Sequence, residues 1–181
     1  SSIEHAVGLT LSEAQAKWIV ERPHPCVEVR VENWQDHSPT EPYDAIISIG
    51  AFEHFARPEA SESEKIAGYR NFFRHCHEIL RSGGRLSLQT IAAANHEERK
   101  IKDDPASRIF PESALPLLSE IITASEDIFE ITFLRNDREH YERTLNEWKR
   151  ALEANADEAR KTAGEKTYID YRRYLTASRA Y

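Results

Sequence analysis

Short apolar runs alternate along the chain with amphipathic stretches of helical period, the pattern of a layered α/β sheet. The first run is Ala6-Val7-Gly8-Leu9. Ser12 then caps a predicted helix from Glu13 to about Glu21, which Pro23 and Pro25 end. Val27, Val29 and Val31 alternate with charged residues, so this stretch reads as a strand. A polar loop with Pro39 and Pro42 leads to Ala45-Ile46-Ile47-Ser48-Ile49, apolar on both faces as in a buried parallel strand.

The spacing predicts a second helix from about Ser63 to Leu80, in which Ile66, Tyr69, Phe73, Cys76 and Leu80 form one stripe. Gly83-Gly84 is expected to stop the chain before a strand from Arg85 to Ile91. The polar stretch from Ala92 to Arg108 has the length of a lid or binding loop. Pro111 to Ser125 is helical in its C-terminal half, and Ile128, Phe129, Ile131 and Phe133 mark a further strand. Asp137 begins a helix striped by Tyr141, Leu145, Trp148 and Leu152. A charged stretch around Asp157–Lys166 precedes a last helix carrying Tyr168, Tyr171 and Leu175. The strands are few for this many helices. The expectation is one portion of a larger single domain, opening almost inside a strand and stopping on a helix.

Charge and cysteine usage narrow the function. Lys plus Arg is 24 and Asp plus Glu is 31, so the net charge is −7, against a general nucleic-acid binder. No apolar run has the length of a membrane span, so at most peripheral membrane contact is expected. Ser1 to Val7 is neither a signal nor a transit peptide. Two cysteines without a CxxC pair suit a reducing cytoplasm. His75 and His77 flank Cys76, but alternate residues on a helix do not share a face, and no metal site is read there.

In open α/β sheets ligands bind beyond the carboxyl ends of the strands. Glu53 and His54 follow the Ile46–Ile49 run, Gln89 closes the next strand, and Tyr141 follows the strand after that. A carboxylate, an imidazole, an amide and a phenol meeting in one crevice would make an acid/base or cation-stabilising site. From spacing alone other roles stay open: Glu53 as a cap, His54 and Gln89 as solvated side chains, Trp34 as core. The six glycines form no GxG, the turn that lets backbone approach a nucleotide-like cofactor.

Several words in order resemble the cyclopropane-fatty-acyl-phospholipid synthase family, including the mycolic acid cyclopropane synthases. They are Gly8-Leu9-Thr10-Leu11-Ser12 with Gln15, the run from Tyr43 to Phe55 containing Ser48-Ile49-Gly50-Ala51-Phe52-Glu53-His54-Phe55, Phe72-Phe73-Arg74-His75-Cys76 to Gly83-Gly84-Arg85-Leu86, Leu88-Gln89-Thr90-Ile91, Ile109-Phe110-Pro111 with Leu115-Pro116, His140-Tyr141 with Thr144-Leu145 and Trp148, and Tyr174-Leu175-Thr176. The resemblance implies a Rossmann-like class I methyltransferase fold, incomplete here, lacking the first strand with its Gly-rich loop and the closing strand. It implies an S-adenosylmethionine-dependent transfer of a methyl group to the double bond of an acyl lipid, with bicarbonate as base where a cyclopropane closes. The positions it assigns to the bicarbonate pocket are Glu53, Gln89, the backbone of Ile91, and Tyr141. Thr10, Leu11, Gln15, Trp34, Gln35, Ile49 and Gly50 are its cofactor positions.

Three departures qualify what carries over. The glycine-rich loop is missing. Gln89 stands where many cyclopropane synthases have His, and an amide cannot take a proton at neutral pH, which favours methylation over ring closure. The family's Cys in the last helix is Ser178 here. Two other readings accompany the first: a small-molecule N- or C-methyltransferase, and a non-catalytic scaffold whose open sheet edge docks a missing N-terminal segment or a partner chain.

Overall fold

The computed structural model describes residues 3–95 and 105–177. Part of the predicted lid, residues 96–104, and Ser178 lie outside them. The chain divides into two compact units, residues 1–46 with 74–86, and residues 47–73 with 87–181.

In the first unit, strands β1 (Ala6–Thr10) and β2 (Val27–Val31) pair in parallel, Ala6 opposite Val27 and Thr10 opposite Val31. Parallel neighbours need a crossover, supplied by helix α1 (Glu13–Val20). Ser12 caps it as expected, its side chain accepting from the Gln15 N–H at 3.3 Å. Strand β3 (Tyr43–Ile49) pairs with β4 (Leu80–Gln89) in a second two-stranded sheet, and helix α2 (Glu62–Ile79) joins them. The α2 stripe predicted by spacing does turn inward: Tyr69, Phe73 and Cys76 are buried. Burial pushes the Cys76 thiol up to about 12, so it stays protonated at neutral pH. Iodoacetamide at pH 8 is therefore expected to modify Cys76 only after unfolding. Peptide mass mapping that finds Cys76 modified in the native protein would contradict this.

In the second unit Phe52 is fully buried. Its ring stacks on Tyr69 with centroids 4.5 Å apart and meets Phe55, Phe72 and Phe73 at 5.6–5.7 Å. Helix α3 (Pro105–Ile109) and helix α4 (Leu118–Ser125) follow. The Arg70 guanidinium donates to the carbonyls of Thr123 and Glu126 at the end of α4. Helices α5 (Arg138–Ala154), α6 (Ala156–Ala163) and α7 (Glu165–Ala177) close the unit. There Leu145, Tyr174 and Leu175 pack with Ala106, Ile109 and Leu152. Among the described residues no helix is long and apolar enough to cross a membrane.

Four expectations change. Residues 128–134 are not a strand: no described strand pairs with them, and Ile131, Phe133 and Leu134 are exposed. A strand needs a hydrogen-bonded neighbour, which local pattern cannot supply. Gly83-Gly84 does not stop the chain but lies inside β4, Gly83 taking φ +73°. The charged 157–166 stretch is mostly helix, broken at Gly164. Arg160 pairs there with Asp157 and Glu165. Ile47 and Ile49 are 70% exposed rather than buried, because among the described residues β3 pairs only with β4, and Ser48 is buried instead.

Gly68 fixes how closely α2 approaches the turn that carries Glu53. A Cβ there would come within 2.9 Å of the Phe55 carbonyl oxygen. Gly68→Ala is expected to destabilise by about 1–3 kcal/mol despite the better helix propensity of Ala. Urea unfolding measures it, and a midpoint that rises would refute the contact.

Candidate functional site

The second unit builds its site on a turn that follows β3. Gly50 takes φ +58°, with open space where a Cβ would stand, and its N–H donates to the Gln89 carbonyl at 3.1 Å. A single 3-10 turn, Phe52–His54, follows. Phe52 faces the aromatic core, which anchors the turn and leaves its neighbour Glu53 buried at 4% exposure.

Three segments meet at Glu53. Its carboxylate Oε1 accepts the Ile91 N–H at 2.5 Å, and its main-chain oxygen accepts the Ala114 N–H at 2.7 Å. Ala114 is held in turn by the Tyr69 hydroxyl, which donates to its carbonyl at 3.3 Å. Ala93 donates to the Pro116 carbonyl and bridges in parallel to Leu117, so the chain after β4 runs beside residues 114–117. The second carboxylate oxygen, Oε2, is buried without a hydrogen-bond partner among the described residues. A buried carboxylate oxygen left unpaired is costly, so this atom is poised to accept from an O–H or N–H donor, or to face a cation.

The predicted residues are not all equally placed. Glu53 and Ile91 are joined directly. His54 and Gln89 are exposed, and the Gln89 contact to this turn is made by its backbone. Tyr141 is 38% exposed at the start of α5, with its ring edge-on to Trp148 at 6.5 Å. No hydrogen bond links Tyr141 or Gln89 to Glu53 among the described residues. Ala114 escaped the sequence reading, and Tyr69 entered it only as part of the α2 stripe, not as a support of this site. The Leu115-Pro116 word was the available pointer to Ala114, but its contact with Glu53 spans about sixty residues and has no local signal.

In the first unit, the Thr10 hydroxyl donates to Gln15 Oε1 at 2.7 Å and accepts the Ser12 N–H at 3.1 Å. These bonds fix the β1–α1 turn, on which Leu11 is 74% exposed. Trp34 rests against His75 with ring centroids 5.6 Å apart, and Gln35 is exposed beside it. Burial lowers the pKa of His75, holding the ring neutral.

Comparison with known proteins gives one consistent picture. The family model described as mycolic acid cyclopropane synthetase matches residues 4–181. Cyclopropane mycolic acid synthase 2 of Mycobacterium leprae is 34% identical, over 95% of this chain and 61% of its own length. The structure of the cyclopropane synthase MmaA2 from Mycobacterium tuberculosis superposes with TM-score 0.82 at 29% identity, covering 97% of this chain and 64% of that one. The complex of mycolic acid cyclopropane synthase CmaA1 with SAH and CTAB gives TM-score 0.80 at 28% identity, again covering 97% and 64%. The chain thus spans about three fifths of the length of its relatives, and its fold is the α/β fold of these methyltransferases.

Proposed function

The chain belongs to the mycolic acid cyclopropane synthetase family, and from that premise we propose that the protein is an S-adenosylmethionine-dependent methyltransferase acting on the carbon–carbon double bond of an acyl lipid. S-adenosylmethionine, when bound, supplies an electrophilic methyl group on a sulfonium. The observation that carries the reading is Glu53: buried, fixed at one oxygen by backbone, and without a hydrogen-bond partner at the other among the described residues.

That geometry suits methyl transfer to an alkene. The acceptor's π electrons form the new carbon–carbon bond as the methyl–sulfur bond breaks with its electron pair left on sulfur, and positive charge appears on the neighbouring carbon. Loss of a proton then closes a cyclopropane or leaves a branched alkene. A pre-oriented carboxylate lowers the energy of the cationic acceptor without reorganising. The unpaired Oε2 also fits the O–H of a bicarbonate, whose other oxygens could take the base's role. Glu53, the Ile91 backbone, Gln89 and Tyr141 are proposed to hold it, with His54 as a further candidate for moving protons at the site. Thr10, Leu11, Gln15, Trp34 and Gln35 are proposed cofactor contacts, as are Ile49 and its neighbour Gly50; the positive φ and missing Cβ of Gly50 leave its backbone uncovered.

The presence of SAH and CTAB in one family complex supports a methyl donor and a long-chain ligand. We place the activity in lipid biosynthesis at the cytoplasmic side, with at most peripheral membrane contact. The test is to incubate the full-length protein with S-adenosylmethionine and an unsaturated phospholipid. Mass spectrometry is expected to find acyl chains heavier by one CH2, and upfield proton resonances separate a ring from a branch. Binding of S-adenosylmethionine without any modified lipid, across a panel of unsaturated chains, would refute the acyl acceptor.

A further inference from the structure

The connection from β2 to β3 exposes Gln35, Asp36, Ser38 and Thr40, yet buries a histidine beneath them. His37 is 3% exposed, the one buried side chain between Glu32 and Tyr43. Its Nε2 lies 2.8 Å from the Tyr43 hydroxyl, and its Nδ1 lies 3.4 Å from Glu32 Oε2. The imidazole also stacks on the Tyr43 ring, with centroids 5.8 Å apart and planes at 15°.

These partners choose the proton positions. A carboxylate only accepts, so in the neutral ring Nδ1–H donates to Glu32 and Nε2 accepts from the Tyr43 O–H. Burial raises the Tyr43 pKa, so the phenol keeps the proton it donates. Glu32 adjoins the end of β2, its N–H donating to the Thr10 carbonyl, and Tyr43 opens β3. His37 therefore ties the two ends of the connection from inside.

The same residue anchors the turn that precedes it. The His37 N–H donates to the Trp34 carbonyl at 3.3 Å, and the Asp36 N–H donates to the Asn33 carbonyl at 3.0 Å. The Gln35 N–H is held by Asn33 Oδ1 at 3.1 Å. Trp34 and Gln35 thus occupy two overlapping turns whose last residue is clamped below them.

We infer that His37, clamped between Glu32 and Tyr43, is a positioning residue that pre-orients Trp34 and Gln35 for the cofactor. This rests on the proposed reading of those two residues as contacts of S-adenosylmethionine. A loop held in its bound geometry loses less entropy when ligand arrives, so loss of the clamp weakens affinity and leaves the chemical step alone.

The test uses the full-length protein, calorimetry and steady-state kinetics with S-adenosylmethionine. His37→Leu is expected to raise the cofactor Kd and KM about tenfold, the scale of one buried hydrogen bond, with kcat within about twofold. His37→Gln, which can still accept from Tyr43, is expected to recover most of the affinity. Tyr43→Phe keeps the ring stack and removes the hydroxyl, so it reads the same link where His37→Leu fails to fold. Its expected loss is about threefold or more. An unchanged cofactor Kd in folded His37→Leu or in Tyr43→Phe overturns the inference, as does a fall in kcat with Kd unchanged. Failure of the underlying reading looks different: the wild-type protein itself gives no binding heat, or Trp34→Ala leaves the affinity intact.

Discussion

Glu53→Gln in the full-length protein is expected to lower kcat at least a hundredfold, the scale of losing one aimed electrostatic partner of a transition state. The substitution keeps the shape and nearly all of the volume. Its amide oxygen can still accept the Ile91 N–H, which in the native protein binds Oε1 at 2.5 Å. What disappears is the negative charge and the unpaired acceptor at Oε2. A neutral amide in that place gives a cationic acceptor far less stabilisation, and its NH2 would point a donor where an acceptor stood. Affinity for S-adenosylmethionine should persist within about threefold, since Glu53 is not itself among the proposed cofactor contacts. Turnover of E53Q close to wild type, measured on the same lipid, would remove Glu53 from the mechanism.

The largest stability effect is expected from Phe52→Ala. Phe52 is fully buried and touches four aromatic rings, one in a stacked geometry at 4.5 Å. Truncation removes the transfer free energy of the ring and leaves a cavity walled by stiff aromatics that collapse poorly, so about 3–5 kcal/mol is expected. Chemical denaturation measures the loss. Phe52→Leu, which refills part of the volume, should recover about half of it. Because Phe52 precedes Glu53 on the same turn, its loss should also reduce activity in protein that remains folded. A destabilisation below about 1 kcal/mol would mean that the aromatic cluster does not anchor the turn.

Local pattern was enough for the elements whose signals are local. Val27–Val31 is a strand over the expected residues, Ser12 caps α1, and the α2 stripe buries Tyr69, Phe73 and Cys76. Each follows from a side-chain period or from one hydrogen bond within a single turn. Glu53 was also visible in advance, as a carboxylate just past an apolar strand. Its burial and its bond to Ile91 were not, since 38 residues separate the two.

The misreadings share one cause. The 128–134 segment has strand composition, but among the described residues no strand pairs with it, so its alternation has no ladder to act on. Gly83-Gly84 carries the punctuation of a stop, but pairing with β3 carries the strand through it. Ile47 and Ile49 were expected inside because both faces of their strand are apolar, yet burial depends on what neighbours supply. His37 gave no signal at all: a histidine in a polar, proline-bearing loop looks solvated until Glu32 and Tyr43 close around it.

By itself, then, the order of residues determined the α/β class, the family, and the carboxylate on which the proposed chemistry turns, because period, capping and motif words are properties of neighbouring positions. Tertiary structure alone decided which oxygen of Glu53 is left unpaired, which apolar strands are covered, and which histidine is clamped. Those outcomes depend on desolvation and hydrogen bonding between segments far apart in the chain, and no local pattern encodes the partner.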